Sequence, residues 1–228
     1  MPMKTFLNLS KERKRRIIDA ALKEFILHDY RDASLTRIIQ TLGLAKGSFY
    51  RYFGSKRELY AYLIVYGKRN TAHIVKRIFS EPSKDVFDGW VRFYLACAEQ
   101  DNAYPLLGWF GNKLSLDRHD PILGDVPLES KRKGLQMMRT QFIEAQKRGE
   151  IRNDLDVDLM IFSLLQIQEG ILDYLTLKHG LGAKGKDLTK DPLFPLSKDI
   201  LRKELEGFAE ILRSGMAPRN GPKSREET

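Results

Sequence analysis

Apolar residues recur at three- and four-residue intervals along almost the whole chain, the spacing of one face of a helix. Ile17, Ile18, Ala21, Leu22, Phe25 and Ile26 form the first such stripe, with Ser10 ahead of it as a cap and Glu12 placed for the helix dipole. The polar run 28–32 breaks the pattern. Ser34 then caps a short second helix carrying Leu35, Ile38, Ile39 and Leu42, and Gly43 follows where a left-handed residue ends a helix cheaply. Lys46 to Tyr52 reads as a third short helix with Phe49 and Phe53 turned inward. Strand alternation and Asn-Gly hairpin signals are absent from the sequence.

Gly54 ends the third helix, and Ser55-Lys56-Arg57-Glu58 is a capping box in which Ser55 and Glu58 satisfy each other's backbone N–H groups. The fourth helix runs on to about Phe79, which at ~1.5 Å per residue makes it about 40 Å long. Pro82-Ser83 opens a fifth with Phe87, Trp90, Val91, Tyr94 and Ala98 in register, and a sixth covers Tyr104 to Leu116. Residues 117–127 are a loop, and a seventh helix spans Leu128 to Arg148. Asp156 caps an eighth, Val157 to about Lys178, which is apolar nearly all round and so implies contact on both sides. Residues 180–196 read as a flexible insertion. Ser197 and Asp199 start a ninth helix striped by Leu201, Leu205, Phe208 and Leu212, and the tail from Gly215 reads as disordered. The expectation is an all-α chain of about nine helices, with a three-helix helix-turn-helix domain at 1–54, a helical bundle at 55–214 and a tail at 215–228.

Charge sharpens this picture. Residues 1–60 hold 13 Lys+Arg against 6 Asp+Glu, whereas 61–228 hold 26 against 24, so most of the +9 surplus lies in a quarter of the chain. That asymmetry points the amino-terminal segment at a polyanion. A solvated helix face explains Lys11, Arg13, Lys14, Arg15 and Arg16 equally well when they are taken alone. Cys97 is the only cysteine among the 228 residues, which fits a reducing, cytoplasmic compartment. Four scattered His and no repeated Glu-x-x-His pair leave no metal site, cofactor or enzyme to expect. The basic turn of MPMKTFLNLSKERKRR argues against a signal peptide. The most apolar stretch, 159–177, contains Gln166, Gln168, Glu169 and Asp173, so no membrane span is expected.

In a helix-turn-helix the second helix enters the major groove. Packing Phe49 and Phe53 inward leaves Lys46, Ser48, Tyr50, Arg51 and Tyr52 outside, each able to donate to a phosphate or a base edge, and Gly47 lets the backbone approach closely. Lys56 opposes the dipole at the start of its helix, so helix stability gives no reason for it there. A phosphate docked at that helix start supplies one, and simple exposure is the alternative.

Ser34-Leu35-Thr36-Arg37-Ile38-Ile39, then Gly43 to Phe53 (GLAKGSFYRYF), then Ser55-Lys56-Arg57-Glu58-Leu59 resemble the TetR family of transcriptional regulators over about residues 10–70. Beyond that, only the helix count and the stretch from Gly149 to Asp156 are similar. The resemblance implies DNA contacts by Ser34, Thr36, Arg37, Lys46, Gly47, Ser48, Tyr50, Arg51, Tyr52 and Lys56, with Tyr50, Tyr52 and Lys56 mainly on phosphates and Lys46 and Arg51 on bases. Two departures stand out: Ala45 where Ser commonly caps the reading helix, and Ile39 where Ala is usual. The resemblance also implies a double-stranded operator, a homodimer and a small-molecule effector.

The eighth and ninth helices are plausible halves of a dimeric four-helix bundle, through Leu164, Leu165, Gln168, Leu172, Leu201, Leu205, Phe208 and Leu212. A purely internal eighth helix is the competing reading. Trp90, Phe93, Tyr94, Cys97, Trp109, Phe110, Met138, Phe142, Phe162, Gln166 and Glu169 suit either a core or an effector pocket with apolar walls and a few polar groups. Two rival functions are an enzyme on a helical bundle, which lacks convergent catalytic groups, and a non-specific DNA-packaging protein, which leaves the acid–base balanced remainder without a task.

Overall fold

A computed structural model describes residues 2–116, 126–181 and 187–217. Ten helices are present among them, and no strand: α1 (Lys4–Leu7), α2 (Lys11–Leu27), α3 (Leu35–Leu42), α4 (Lys46–Tyr50), α5 (Lys56–Ser80), α6 (Val86–Ala103), α7 (Pro105–Leu116), α8 (Val126–Lys147), α9 (Val157–His179) and α10 (Lys198–Met216). Most of the expected loop at 117–127, residues 182–186 of the insertion and 218–228 of the tail lie outside the described residues.

Local chemistry sets the helix ends. The hydroxyls of Ser10, Ser34 and Ser197 and the Asp156 carboxylate each accept the backbone N–H three residues on, caps worth about 1 kcal/mol apiece. Gly43 and Gly180 close α3 and α9 in the left-handed region, at φ of 64° and 65°. The capping box before α5 is half as expected: Ser55 accepts the Glu58 N–H, but the Glu58 carboxylate reaches the Gly54 N–H rather than that of Ser55. α6 starts at Val86, not at Pro82, because Asp85 is its cap, accepting the N–H groups of Phe87 and Asp88. α1 is an element that a four-residue span hides from any periodicity.

The described residues divide into two compact units. The first takes those within 2–76, 97–116 and 187–195. Its core is built on Ile17, Leu22, Phe25, Phe49, Phe53, Leu59 and Leu63, all fully buried, with α2 packed on α3 and α7. Tyr60 sits edge-on to both Phe25 and Phe110, at ring separations of 4.8 and 5.5 Å. Arg15 lies 3.4 Å over the Tyr104 ring while pairing with Asp19, which also accepts the Tyr104 hydroxyl. The stretch 187–195, expected to be flexible, is docked. Leu193 is buried, the Trp109 indole donates to the Asp191 carbonyl (2.7 Å), and the Phe194 N–H donates to the buried Asp101 carboxylate (3.1 Å).

The second unit takes the described residues within 77–96, 126–181 and 196–217. α9 packs on α8 and α10, burying Met160, Ile161, Leu164, Ile171 and Leu175. Among the described residues nothing covers its opposite face: Leu159, Phe162 and Leu177 are 56, 50 and 86% exposed. The nearly all-round apolar pattern is thus one inner and one outer face. Arg213 on α10 pairs with Asp85 at 2.8 Å, and Glu204 gathers Lys178, Tyr174 and His179 from the end of α9. Gly215 and Met216, expected in the tail, close α10, because Met216 is buried and its carbonyl accepts the Arg152 N–H at 2.8 Å.

Candidate nucleic-acid interface

α3, the Gly43 turn and α4 form the helix-turn-helix. Gly43 and Leu44 donate back to the carbonyls of Gln40 and Ile39, which turns the chain sharply toward Lys46. α4 has five residues, and Ala45 ahead of it makes no side-chain cap bond. Its orientation therefore comes from Phe49 and from Phe53 just beyond it, both 0% exposed. That leaves Lys46, Gly47, Tyr50 and Arg51 exposed and Ser48 half-buried. A Cβ built at Gly47 would meet nothing within 4 Å, so no internal contact demands a glycine there. Thr36 is exposed at the start of α3.

Four residues expected at DNA have internal partners. Tyr52 is 7% exposed, because α4 ends at Tyr50 and the following turn folds the ring inward, edge-on to Phe6 at 6.3 Å. The Arg37 guanidinium donates to Glu24 and to the Asp32 carbonyl, and the Ser34 N–H donates to the same carboxylate. Burial alone would raise the Glu24 carboxyl, but the hydrogen bonds from Arg37 and Ser34 outweigh it and hold the group below its ordinary range. The Lys56 ammonium donates to the carbonyls of Tyr30, Ala33 and Arg31, at 2.6, 2.9 and 3.0 Å, and stands 4.8 Å over the Tyr30 ring. The reason for a lysine at this helix start, missing from the dipole argument, is therefore tertiary: it closes the turn between α2 and α3. Periodicity alone does not single out Glu24, although a carboxylate between Leu22 and Phe25, next to the inward face, is a signal.

The residues expected around an effector are divided between the two units. Cys97, Trp109 and Phe110 belong to the first. Burial pushes the Cys97 thiol up to about 12, which removes it as a nucleophile. In the second, Trp90 and Tyr94 are buried with ring centroids 5.1 Å apart, Phe142 is buried edge-on to Phe87, and Phe93 and Met138 are half-buried. Tyr94 donates its hydroxyl to the Gln168 carbonyl at 3.1 Å. Phe162 and Gln166 lie on the exposed face of α9, where the Gln166 amide donates to Glu169 at 3.4 Å. They are surface groups, because the helical repeat sets them opposite Ile161, Leu164 and Ile171.

Of the residues expected at a dimer contact, Leu164, Leu201, Leu205 and Leu212 are interior to the single chain, at 0, 3, 0 and 7% exposed. Leu165, Gln168, Leu172 and Phe208 are half-buried, and Phe208 meets Tyr174 edge-on at 4.9 Å.

Residues 17–63 match the family model described as bacterial regulatory proteins, tetR family. The chain is similar to the HTH-type transcriptional repressor AcnR of Corynebacterium jeikeium (strain K411), 24% identical over 74% of this chain and 84% of that protein. It is likewise similar to the uncharacterized HTH-type transcriptional regulator YdgC of Bacillus subtilis (strain 168), 24% identical over 72% of this chain and 80% of that one. Among solved structures, a TetR family transcriptional regulator from Chloroflexus aurantiacus J-10-fl superposes with a TM-score of 0.71 and 27% identity, covering 96% of this chain and all of that one. The matched segment coincides with the helix-turn-helix just described, so these residues form a DNA-binding domain of the tetR family of bacterial regulatory proteins.

Proposed function

We propose that the protein is a cytoplasmic repressor that binds a palindromic operator as a homodimer and is controlled by a small, largely apolar effector held within residues 55–214. The observation that carries the DNA-binding part is the division of α4: Phe49 and Phe53 are wholly buried, while Lys46, Gly47, Tyr50 and Arg51 stand free on its other side. These four, with Ser48 and Thr36, meet the duplex in this reading. Tyr50 serves phosphates, and Lys46 and Arg51 serve base edges. Ser34, Arg37, Tyr52 and Lys56 act one step behind, holding α3, α4 and the start of α5 in place.

The dimer contact uses the outward residues of α9 and α10, including Leu159, Phe162, Leu177, Ile200 and Ile211, an exposed apolar surface that a second copy would cover. Two-fold pairing presents two reading helices, which a palindrome reads when they stand about one DNA turn, ~34–36 Å, apart. The effector reading draws on the Trp90 indole N–H, which is buried with no acceptor among the described residues. A ligand carbonyl or carboxylate would satisfy it.

A mobility-shift titration on fragments from upstream of the coding sequence tests the proposal. The wild type should select one fragment over competitor DNA, with steep salt dependence and two chains in the retarded species. The double variant Tyr50→Ala, Arg51→Ala should bind every fragment weakly. Wild-type behaviour in that variant would overturn the assignment of α4.

A further inference from the structure

We infer that the amino-terminal turn Lys4–Leu7 is a working part of the DNA-reading surface, bracing α4 from its carbonyl end and adding Lys4 as a phosphate contact beside Arg51. The inference rests on the reading that α4 meets DNA.

A five-residue helix has little stability of its own. α4 lacks a side-chain cap at its start, and the chain leaves the helix after Tyr50, so the carbonyls of Arg51 and Tyr52 need partners from elsewhere. α1 supplies what is missing. The Thr5 hydroxyl donates to the Arg51 carbonyl, and the Met3 N–H donates to the Tyr52 carbonyl at 3.0 Å. Phe6, 0% exposed, fixes the turn by setting its ring against Phe53 (4.8 Å), Tyr62 (5.3 Å) and Tyr52 (6.3 Å). Lys4 lies between two residues that are bonded to the end of the reading helix, and it is exposed, as is Arg51. An ammonium at that edge of a groove-facing helix has one polyanion within reach, the sugar–phosphate backbone of the same half-site. The family match begins at residue 17 and so does not cover this turn.

The test uses the full-length chain, the fragment retarded by the wild type and a scrambled duplex of equal length, titrated at several salt concentrations. Lys4→Ala should weaken both duplexes a few-fold and lower the salt slope by about one. Phe6→Ala combined with Thr5→Val should weaken the selected fragment about tenfold more than the scrambled one, the equivalent of one or two lost hydrogen bonds. Helix content by circular dichroism should stay unchanged, and Phe6→Leu should restore most of the preference. An unchanged slope in Lys4→Ala overturns the phosphate contact, and an unchanged preference in the double variant overturns the brace. If the double variant fails to fold, Thr5→Val alone decides the brace by the same ratio. Wild-type binding by Tyr50→Ala, Arg51→Ala would instead show that the underlying reading of α4 has failed.

Discussion

The Arg37 guanidinium closes on the Glu24 carboxylate, with Nη2 2.6 Å and Nε 3.0 Å from Oε1, and so joins the start of α3 to the last turns of α2. The carboxylate is buried, and it also takes the Ser34 N–H at 2.6 Å. An arginine whose position suggests DNA contact thus also braces the angle between the two helices.

Glu24→Gln should lower the unfolding free energy by about 1–3 kcal/mol at neutral pH, through the loss of charge-assisted bonds to Arg37 and the Ser34 N–H. Because the folded state holds this carboxyl below its ordinary value, its stabilisation is complete above the ordinary glutamate range, about pH 4, and fades as pH falls through the depressed value. Urea melts at a series of acidic pH values should therefore show a shallower acid loss in Glu24→Gln than in the wild type.

Lys56→Met keeps the aliphatic stem but removes three donors from the carbonyls of Tyr30, Arg31 and Ala33. The expected result is a loss of about 2 kcal/mol in chemical denaturation, with the salt slope of DNA binding preserved. A slope lowered by about one, with stability intact, would return this ammonium to the phosphate.

Gly47→Ala should separate stability from recognition. The added methyl meets no atom of the described residues within 4 Å, and alanine favours helix by about 0.5–1 kcal/mol, so thermal stability should hold or rise. In the proposed reading, where α4 meets the duplex, operator affinity should fall because the methyl holds the two backbones apart. Equal affinity would mean that DNA does not come close to this residue.

Gly108→Ala should be harmful for an internal reason. Its Cβ would fall 2.0 Å from the Asp101 Oδ1 and 2.9 Å from Cγ, and Asp101 is buried and held by the Phe194 N–H. A short, enclosed side chain has nowhere to retreat, so a loss of about 1–3 kcal/mol is expected. In a double-mutant cycle, Asp101→Ala should relieve part of the penalty, and strict additivity would refute the clash.

The helices were legible because their signals are local. Ser10, Ser34, Asp156 and Ser197 cap the N–H three residues on, and Gly43 and Gly180 turn the chain where they stand. The direction of α4 was legible from Phe49 and Phe53. What escaped depends on partners far away in the chain. Lys56 meets carbonyls 23 to 26 residues earlier, and Thr5 meets one 46 residues later. Phe162 and Leu164 show why the bundle was harder: both are apolar and two residues apart, yet one is half exposed and the other wholly buried. Composition cannot distinguish an outer stripe from an inner one on a helix that is apolar on both sides.

The docking of Met3 and Thr5 onto the far end of the reading helix has a practical side. Any polypeptide joined upstream of Pro2 emerges only a few residues from Arg51. If α4 reads DNA as proposed, a purification tag or fluorescent fusion placed there would crowd the duplex, and affinities measured on such a sample would understate those of the untagged protein.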